Sequence, residues 1–221
     1  YQTITPVKRN GVAILTLNRP DKMNCFNAQM HAEMRAALDD IATDGQSRCL
    51  LLTGNGRGFC AGQDLGDRTV SSDDVRPDLG LSVEQNYNPL IRRLAGFNMP
   101  TVCALNGVAA GAGASIVFAC DIVIAARSAA FILSFCKIGL VPDSGSSWHI
   151  TRSIGLPRAK ALAMLGNKLS AEKAESWGLI YQVVDNDLLV EESTTLATHL
   201  PTQPTKSIAH TIPLKHNRTG R

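Results

Sequence analysis

Gly11-Val-Ala-Ile-Leu-Thr-Leu17, the turn Asn18-Arg-Pro20-Asp21 and Arg48-Cys-Leu-Leu-Leu-Thr53 decide the fold class, together with what separates them. The first run is aliphatic and β-rich, and it stops at a cluster of turn residues. From Asn27 as a cap, Met30, Met34, Ala37, Leu38 and Ile41 fall on one face at helical spacing, which predicts an amphipathic helix. Arg48-Cys-Leu-Leu-Leu-Thr53 is short and apolar enough to be a strand covered on both faces. Strand, helix, strand in this order is the beginning of an α/β chain.

The same order returns further on. Residues 84–94 read as a helix despite Pro89, 101–105 and 121–126 as strands, and 112–120 as a helix of small residues. Past Asp143 the chain turns helical, with Pro157 in the first turn of a helix that Gly166 ends, and Ser170 capping another that stops at Gly178. Residues 181–184 read as a short strand and 188–200 as a helix. The polar stretch 66–83 is too long for a simple connector and predicts a lid over a site. Residues 1–184 are expected to form the core, residues 185–221 a C-terminal helical segment, and 201–221 a tail without apolar period.

Length and composition narrow the class. The 221 residues are 44% hydrophobic and 5% aromatic, enough for one domain with an aliphatic core. The net charge of +3 is scattered, apart from a short basic cluster at 215–221, so a nucleic-acid surface is not indicated. Six cysteines without a CxxC pair read as free thiols of a reducing compartment, with neither disulfide nor zinc. No apolar run reaches the length of a membrane span and no signal pattern opens the chain, so a cytoplasmic protein is expected.

Three stretches carry chemistry: Gly58-Phe-Cys-Ala-Gly-Gln63-Asp64-Leu65, Asn106-Gly-Val-Ala-Ala-Gly-Ala112-Gly-Ala-Ser115 and Gly139-Leu-Val-Pro-Asp143-Ser-Gly-Ser-Ser-Trp148. Gly111-x-Gly113 lacks the third small residue of a dinucleotide fingerprint, because Ile116 stands there, and neither glycine turn ends as a phosphate loop does. Two side-chain-poor turns can instead offer backbone N–H groups to one carbonyl oxygen, and Asp143 adds a carboxylate where a loop feeds a helix. Asp143 also reads as a helix N-cap after Pro142, and the small residues as simple packing.

From Gly11 through Val184 the chain resembles the crotonase family, also called the enoyl-CoA hydratase/isomerase superfamily. The matching residues are Leu17-Asn-Arg-Pro20, Leu51-Leu-Thr-Gly54, Gly58-Phe-Cys-Ala-Gly-Gln-Asp-Leu65, Asn106-Gly107 to Gly113, Cys120-Asp-Ile122 and Lys137-Ile-Gly-Leu-Val-Pro142. The resemblance implies a spiral of repeated strand–strand–helix units followed by trimerising helices, with an acyl-CoA thioester as substrate. It assigns the oxyanion N–H groups to Gln63 and Ala112. It assigns the CoA end to Lys22, Met23 and Asn24 and to Ala61, with Asp64 and Leu65 beside it. The likeness fades after Thr205.

Departures from the family pattern carry the functional reading. The positions of the two hydratase glutamates hold Ser115 and Phe135, neither of which can activate water. Asp143 stands where related isomerases keep their single carboxylate. Within the family the greatest similarity is to isomerases that convert ring-epoxidised phenylacetyl-CoA to an oxepin, on Pro77-Asp-Leu-Gly-Leu-Ser-Val-Glu84 and Tyr87-Asn-Pro-Leu-Ile-Arg-Arg-Leu94 among others. The rivals are a Δ3,Δ2-enoyl-CoA isomerase and a non-catalytic CoA-binding partner subunit. No metal or redox cofactor is expected, and the partners expected are an acyl-CoA, copies of the chain in a trimer or dimer of trimers, and a hydratase. His31 and His199 read as solvent-facing, His149 as a candidate for the pocket wall, and Trp148 and Trp177 as core.

Overall fold

The computed structural model describes residues 1–64, 66, 78–204, 207 and 211. Its frame is two sheets built in alternation. β2 (Val12–Leu17), β3 (Cys49–Gly54), β5 (Thr101–Leu105) and β7 (Ile122–Ala126) run parallel in the larger sheet, with β1 (Ile4–Arg9) antiparallel on β2 and β10 (Gln182–Val184) closing the far side. β4 (Gly58–Cys60), β6 (Val108–Ala110) and β8 (Ala130–Ile132) run parallel in the smaller sheet, and β9 (Lys168–Ser170) pairs antiparallel with β8. Each successive pair, β3–β4, β5–β6 and β7–β8, therefore adds one strand to each sheet. This is the spiral of strand–strand–helix units that the resemblance implied.

The helices form as their sequences dictate. α1 (Ala28–Thr43) is capped by Asn27, whose side-chain oxygen accepts the Met30 N–H at 2.9 Å, and it buries the expected stripe Met30, Met34, Ala37, Leu38 and Ile41. α2 (Leu79–Ser82), a π-turn (Val83–Tyr87) and α3 (Asn88–Ala95) form one continuous helical stretch, and Pro89, which cannot donate to the preceding turn, stands directly after the π-turn where the regular ladder is already broken. α4 (Ala112–Ala119) is buried on every side, as eight small and aliphatic residues allow. α5 (Ser146–Leu165) is interrupted at Gly155 (φ 77°, ψ 160°), so the helix expected from Pro157 is its second half. α6 (Ala171–Ser176) is capped by Ser170, and α7 (Leu189–His199) lies across β3, β5 and β7.

Several expectations need correction. β1 precedes every element read from the sequence; it carries Pro6, and as an edge strand it tolerates the missing ladder donor. The strands of the smaller sheet have three residues each, too few for a period to show. His31 is buried, packed 4.9 Å from the ring of Phe26, and does not face solvent; His199 does. Trp148 is 39% exposed with the Arg152 guanidinium stacked on it, and Trp177 is only partly buried beneath Arg158 and Lys173. The lid expectation, for residues 67–77, and most of the tail lie outside the described residues. Among the described residues no helix is long and apolar enough to cross a membrane.

Candidate active site

The first turn leaves β4 and is tied on one side to the chain around Met23–Phe26. Ala61 N–H donates to Met23 C=O, Phe26 N–H to Gly62 C=O and Asp64 N–H to Phe26 C=O, all at 2.8–2.9 Å. Gly62 N–H points back to the Cys60 sulfur at 3.4 Å. Because Phe26 bonds to the residues on either side of Gln63, the Gln63 N–H faces away from that strand. It is the one N–H of residues 61–64 that no backbone or sulfur acceptor takes among the described residues.

The second turn meets the first at Gly62. A Cβ there would lie 3.0 Å from the Ala110 carbonyl oxygen and 3.5 Å from the Ala112 nitrogen, and Gly62 sits at φ +92°, which side chains rarely adopt. Ala112 opens α4, so its N–H has no intrahelical acceptor and carries the positive end of the helix dipole. The approach is fixed by Gly113, where any Cβ would be 2.3 Å from the Cys60 carbonyl. Hence the structure brings Gln63 and Ala112 together, side by side on two abutting turns.

Asp143 arrives from a third direction. Ser115, fully buried on α4, donates from its hydroxyl to the Gly111 carbonyl at 3.4 Å and to the Asp143 carbonyl at 3.3 Å. The Asp143 backbone thus lies one helical turn from Ala112. Its carboxylate is half-buried and accepts a hydrogen bond from Ser144 Oγ at 2.9 Å. The N-cap reading fails: α5 starts at Ser146 behind Gly145 with no side-chain cap, and it is the Asp143 carbonyl, not the carboxylate, that takes the Ser146 N–H and hydroxyl. Phe135 is buried with its ring near Gly111, so it presents an apolar face to the second turn.

The residues assigned to CoA divide. Lys22 is exposed at the end of a short 3-10 turn, and Met23 comes next in a left-handed conformation with its sulfur beside the Arg57 guanidinium. The Asn24 side chain is fully buried, taking the Arg19 N–H and donating to the Asn55 and Gly58 carbonyls, so it braces the turn and leaves only the backbone of this position for a ligand. Asp64 pairs with Arg19 at 2.8 Å, and that hydrogen-bonded guanidinium holds its carboxyl below the usual range. Leu65 lies outside the described residues. Tyr87, to which sequence reasoning assigns no role in the site, donates from its hydroxyl to the Gln63 side-chain oxygen at 2.9 Å. Only its place near a proline-bearing helix start marks the residue, and that is no signal of function.

His149 lies beside Gly145 and, with Ile91, Arg92 and Trp148, lines a cleft of about 540 Å³ between α3 and α5. Among the described residues no three His, Cys, Asp or Glu side chains cluster as metal ligands would.

Comparison with known proteins gives the family. The family model for enoyl-CoA hydratase/isomerase matches residues 7–217, which carries the likeness beyond Thr205. A 1,2-epoxyphenylacetyl-CoA isomerase of Escherichia coli is 57% identical over 195 residues, 88% of this chain and 74% of the relative. A trans-2-decenoyl-[acyl-carrier-protein] isomerase of Streptococcus mutans is 38% identical over 193 residues, 86% and 73% of the two chains. A solved enoyl-CoA hydratase from Bacillus anthracis superposes with a TM-score of 0.90 at 29% identity, covering 98% of this chain and 83% of that one. With two sheets wound in alternation and a family match over nearly its whole length, the chain belongs to the enoyl-CoA hydratase/isomerase (crotonase) family.

Proposed function

We propose that this chain is a CoA-thioester isomerase that rearranges 1,2-epoxyphenylacetyl-CoA to an oxepin-CoA. The observation that carries the reading is the Asp143 backbone held by the Ser115 hydroxyl against α4, the helix whose start abuts the first turn at Gly62; that Ser115 and Phe135 stand where a hydratase keeps its two glutamates supports it. The 57% identity to a 1,2-epoxyphenylacetyl-CoA isomerase supports the choice of acyl group.

The thioester oxygen accepts hydrogen bonds from the Gln63 and Ala112 N–H groups, which stabilise the negative charge that develops on it by roughly 3–4 kcal/mol per donor. The C–C bond between the two epoxide carbons opens as the ring's double bonds shift, both C–O bonds being kept, which makes the seven-membered oxepin. Asp143 takes a proton from the carbon next to the thioester carbonyl and returns it to a ring carbon conjugated with the resulting enolate. Product and substrate have the same atoms and the same oxidation level, so the reaction calls for no redox cofactor and no water. The CoA end lies along Lys22–Met23 and Ala61. A cytoplasmic trimer or dimer of trimers, with the C-terminal segment engaged in subunit contacts, is part of this proposal, as is a hydratase bound as a partner.

A turnover panel of epoxyphenylacetyl-CoA, a 3-enoyl-CoA and a 2-enoyl-CoA tests the reading. Epoxide rearrangement should be fastest and water addition to the 2-enoyl thioester negligible. Preference for the 3-enoyl thioester would assign a Δ3,Δ2-enoyl-CoA isomerase, comparable hydration would overturn the reaction class, and no turnover at all would leave a CoA-binding partner subunit.

A further inference from the structure

We infer that Tyr87 is a positioning residue for the oxyanion donor Gln63, an inference that rests on the function proposed above. Gln63 is held on its backbone side by the bridge to Phe26, but that bridge fixes only the flanking peptides. Its side chain has two described contacts: a 3.4 Å approach of its amide nitrogen to the Asp64 carbonyl, and the 2.9 Å hydrogen bond from the Tyr87 hydroxyl. The second is the shorter and comes from a rigid group. Tyr87 is 2% exposed, its ring stands edge-on to His31 at 4.5 Å and lies 6.0 Å from Phe26, and His31 is itself anchored on α1.

The backbone that delivers Tyr87 is unusual in the same place. Tyr87 closes the π-turn Val83–Tyr87, the single such turn among the described residues. A π-turn carries about one more residue than an α-turn, which rotates the succeeding side chains by about 100° around the axis, and such turns cluster at functional sites. At the end of this turn the Tyr87 ring lies inward against His31 with its hydroxyl on Gln63, while Glu84 and Gln85 are on the surface. A second support comes from the chain itself: Phe26, whose backbone bridges Gln63, also packs on His31, so both restraints on Gln63 converge on one aromatic cluster. The hydroxyl thus holds the Gln63 side chain, and through its Cα the direction of its N–H toward the substrate oxygen.

Tyr87→Phe, Gln63→Leu and the double variant test this. Tyr87→Phe keeps the packed ring and should lower kcat by about 2- to 13-fold, the weight of one neutral hydrogen bond, with KM within about twofold. Gln63→Leu keeps the backbone donor and removes the acceptor, so it should give the same loss, and the double variant should lose no more than either single one. Unchanged kcat, a loss confined to KM or to thermal stability, or additive losses would overturn the inference. The carbonyl stretch of bound phenylacetyl-CoA, which has no epoxide to rearrange, separates this failure from failure of the function. A wild-type shift from its position in water that shrinks in Tyr87→Phe supports the positioning role even if the true substrate differs, and a shift equal in both proteins contradicts it.

Discussion

Gly113→Ala is a small change with an effect that the structure makes unusually definite. In an open helix it would add about 1 kcal/mol of stability, since alanine exceeds glycine in helix propensity by that amount. Here the new Cβ would lie 2.3 Å from the Cys60 carbonyl oxygen and 2.9 Å from its carbon and Cβ. Ordinary contact begins near 3.4 Å, so α4 must retreat from β4 by about 1 Å, and the blocking atoms belong to a fully buried strand that cannot yield. Overpacking of this kind costs about 1–3 kcal/mol, leaving a net loss of about 0–2 kcal/mol, or at most about 8 °C in Tm for a chain of this size. The functional loss should be larger. The retreat carries the Ala112 N–H away from Gln63, and a 1 Å misplacement is worth about 100-fold in rate. Thermal unfolding and turnover, measured side by side, should show a folded protein with kcat down by that order. A variant as stable as the parent and fully active would refute the claim that the contact between α4 and β4 sets the oxyanion hole.

Acid should loosen the attachment of β1 to α1. Partial burial pushes the Glu33 carboxyl up, but hydrogen bonds from the Thr3 hydroxyl and N–H and from Gln2 N–H overcome it and hold it at about 2 against an ordinary 4.5. A folded pKa below the unfolded one stabilises above the unfolded value and is lost as pH falls, so the urea midpoint should decline from about pH 4.5 toward 2, and Glu33→Gln should flatten that decline; an unaltered profile would count against the clamp. Thiol labelling at neutral pH should reach exposed Cys136 first and leave Cys60 silent until unfolding, because burial pushes the Cys60 thiol up to about 12. Equal native labelling of Cys60 and Cys136 by mass spectrometry would contradict the tight packing of the first turn.

The parts of the fold legible in the sequence are those with a long period or a cap. Asn27 with the Met30–Ile41 stripe, and Ser170 before α6, declare themselves because side chain and backbone signals coincide. The smaller sheet does not, since three-residue strands are specified by their neighbours across β4, β6 and β8 and not by their own pattern. The site is legible to the extent that it is made of backbone. Gly62 and Gly113 are conspicuous as residues without side chains, and their close approaches explain why. The bracing role of the Asn24 side chain is hidden because an asparagine satisfying three backbone groups looks in sequence like any turn asparagine. Tyr87 escapes notice because its contact to Gln63 spans 24 residues and depends on a π-turn that no local signal announces.

Asp143→Asn tests the central claim most directly. The carboxylate does not cap α5, and asparagine can still accept the Ser144 hydroxyl through its side-chain oxygen, so the fold and CoA binding should be preserved. What disappears is the base. Turnover of epoxyphenylacetyl-CoA by the folded variant should fall by about 100- to 10,000-fold, the usual contribution of a positioned acid–base group, leaving a remnant from the oxyanion hole. A folded Asp143→Asn enzyme with near-parental turnover would contradict the account.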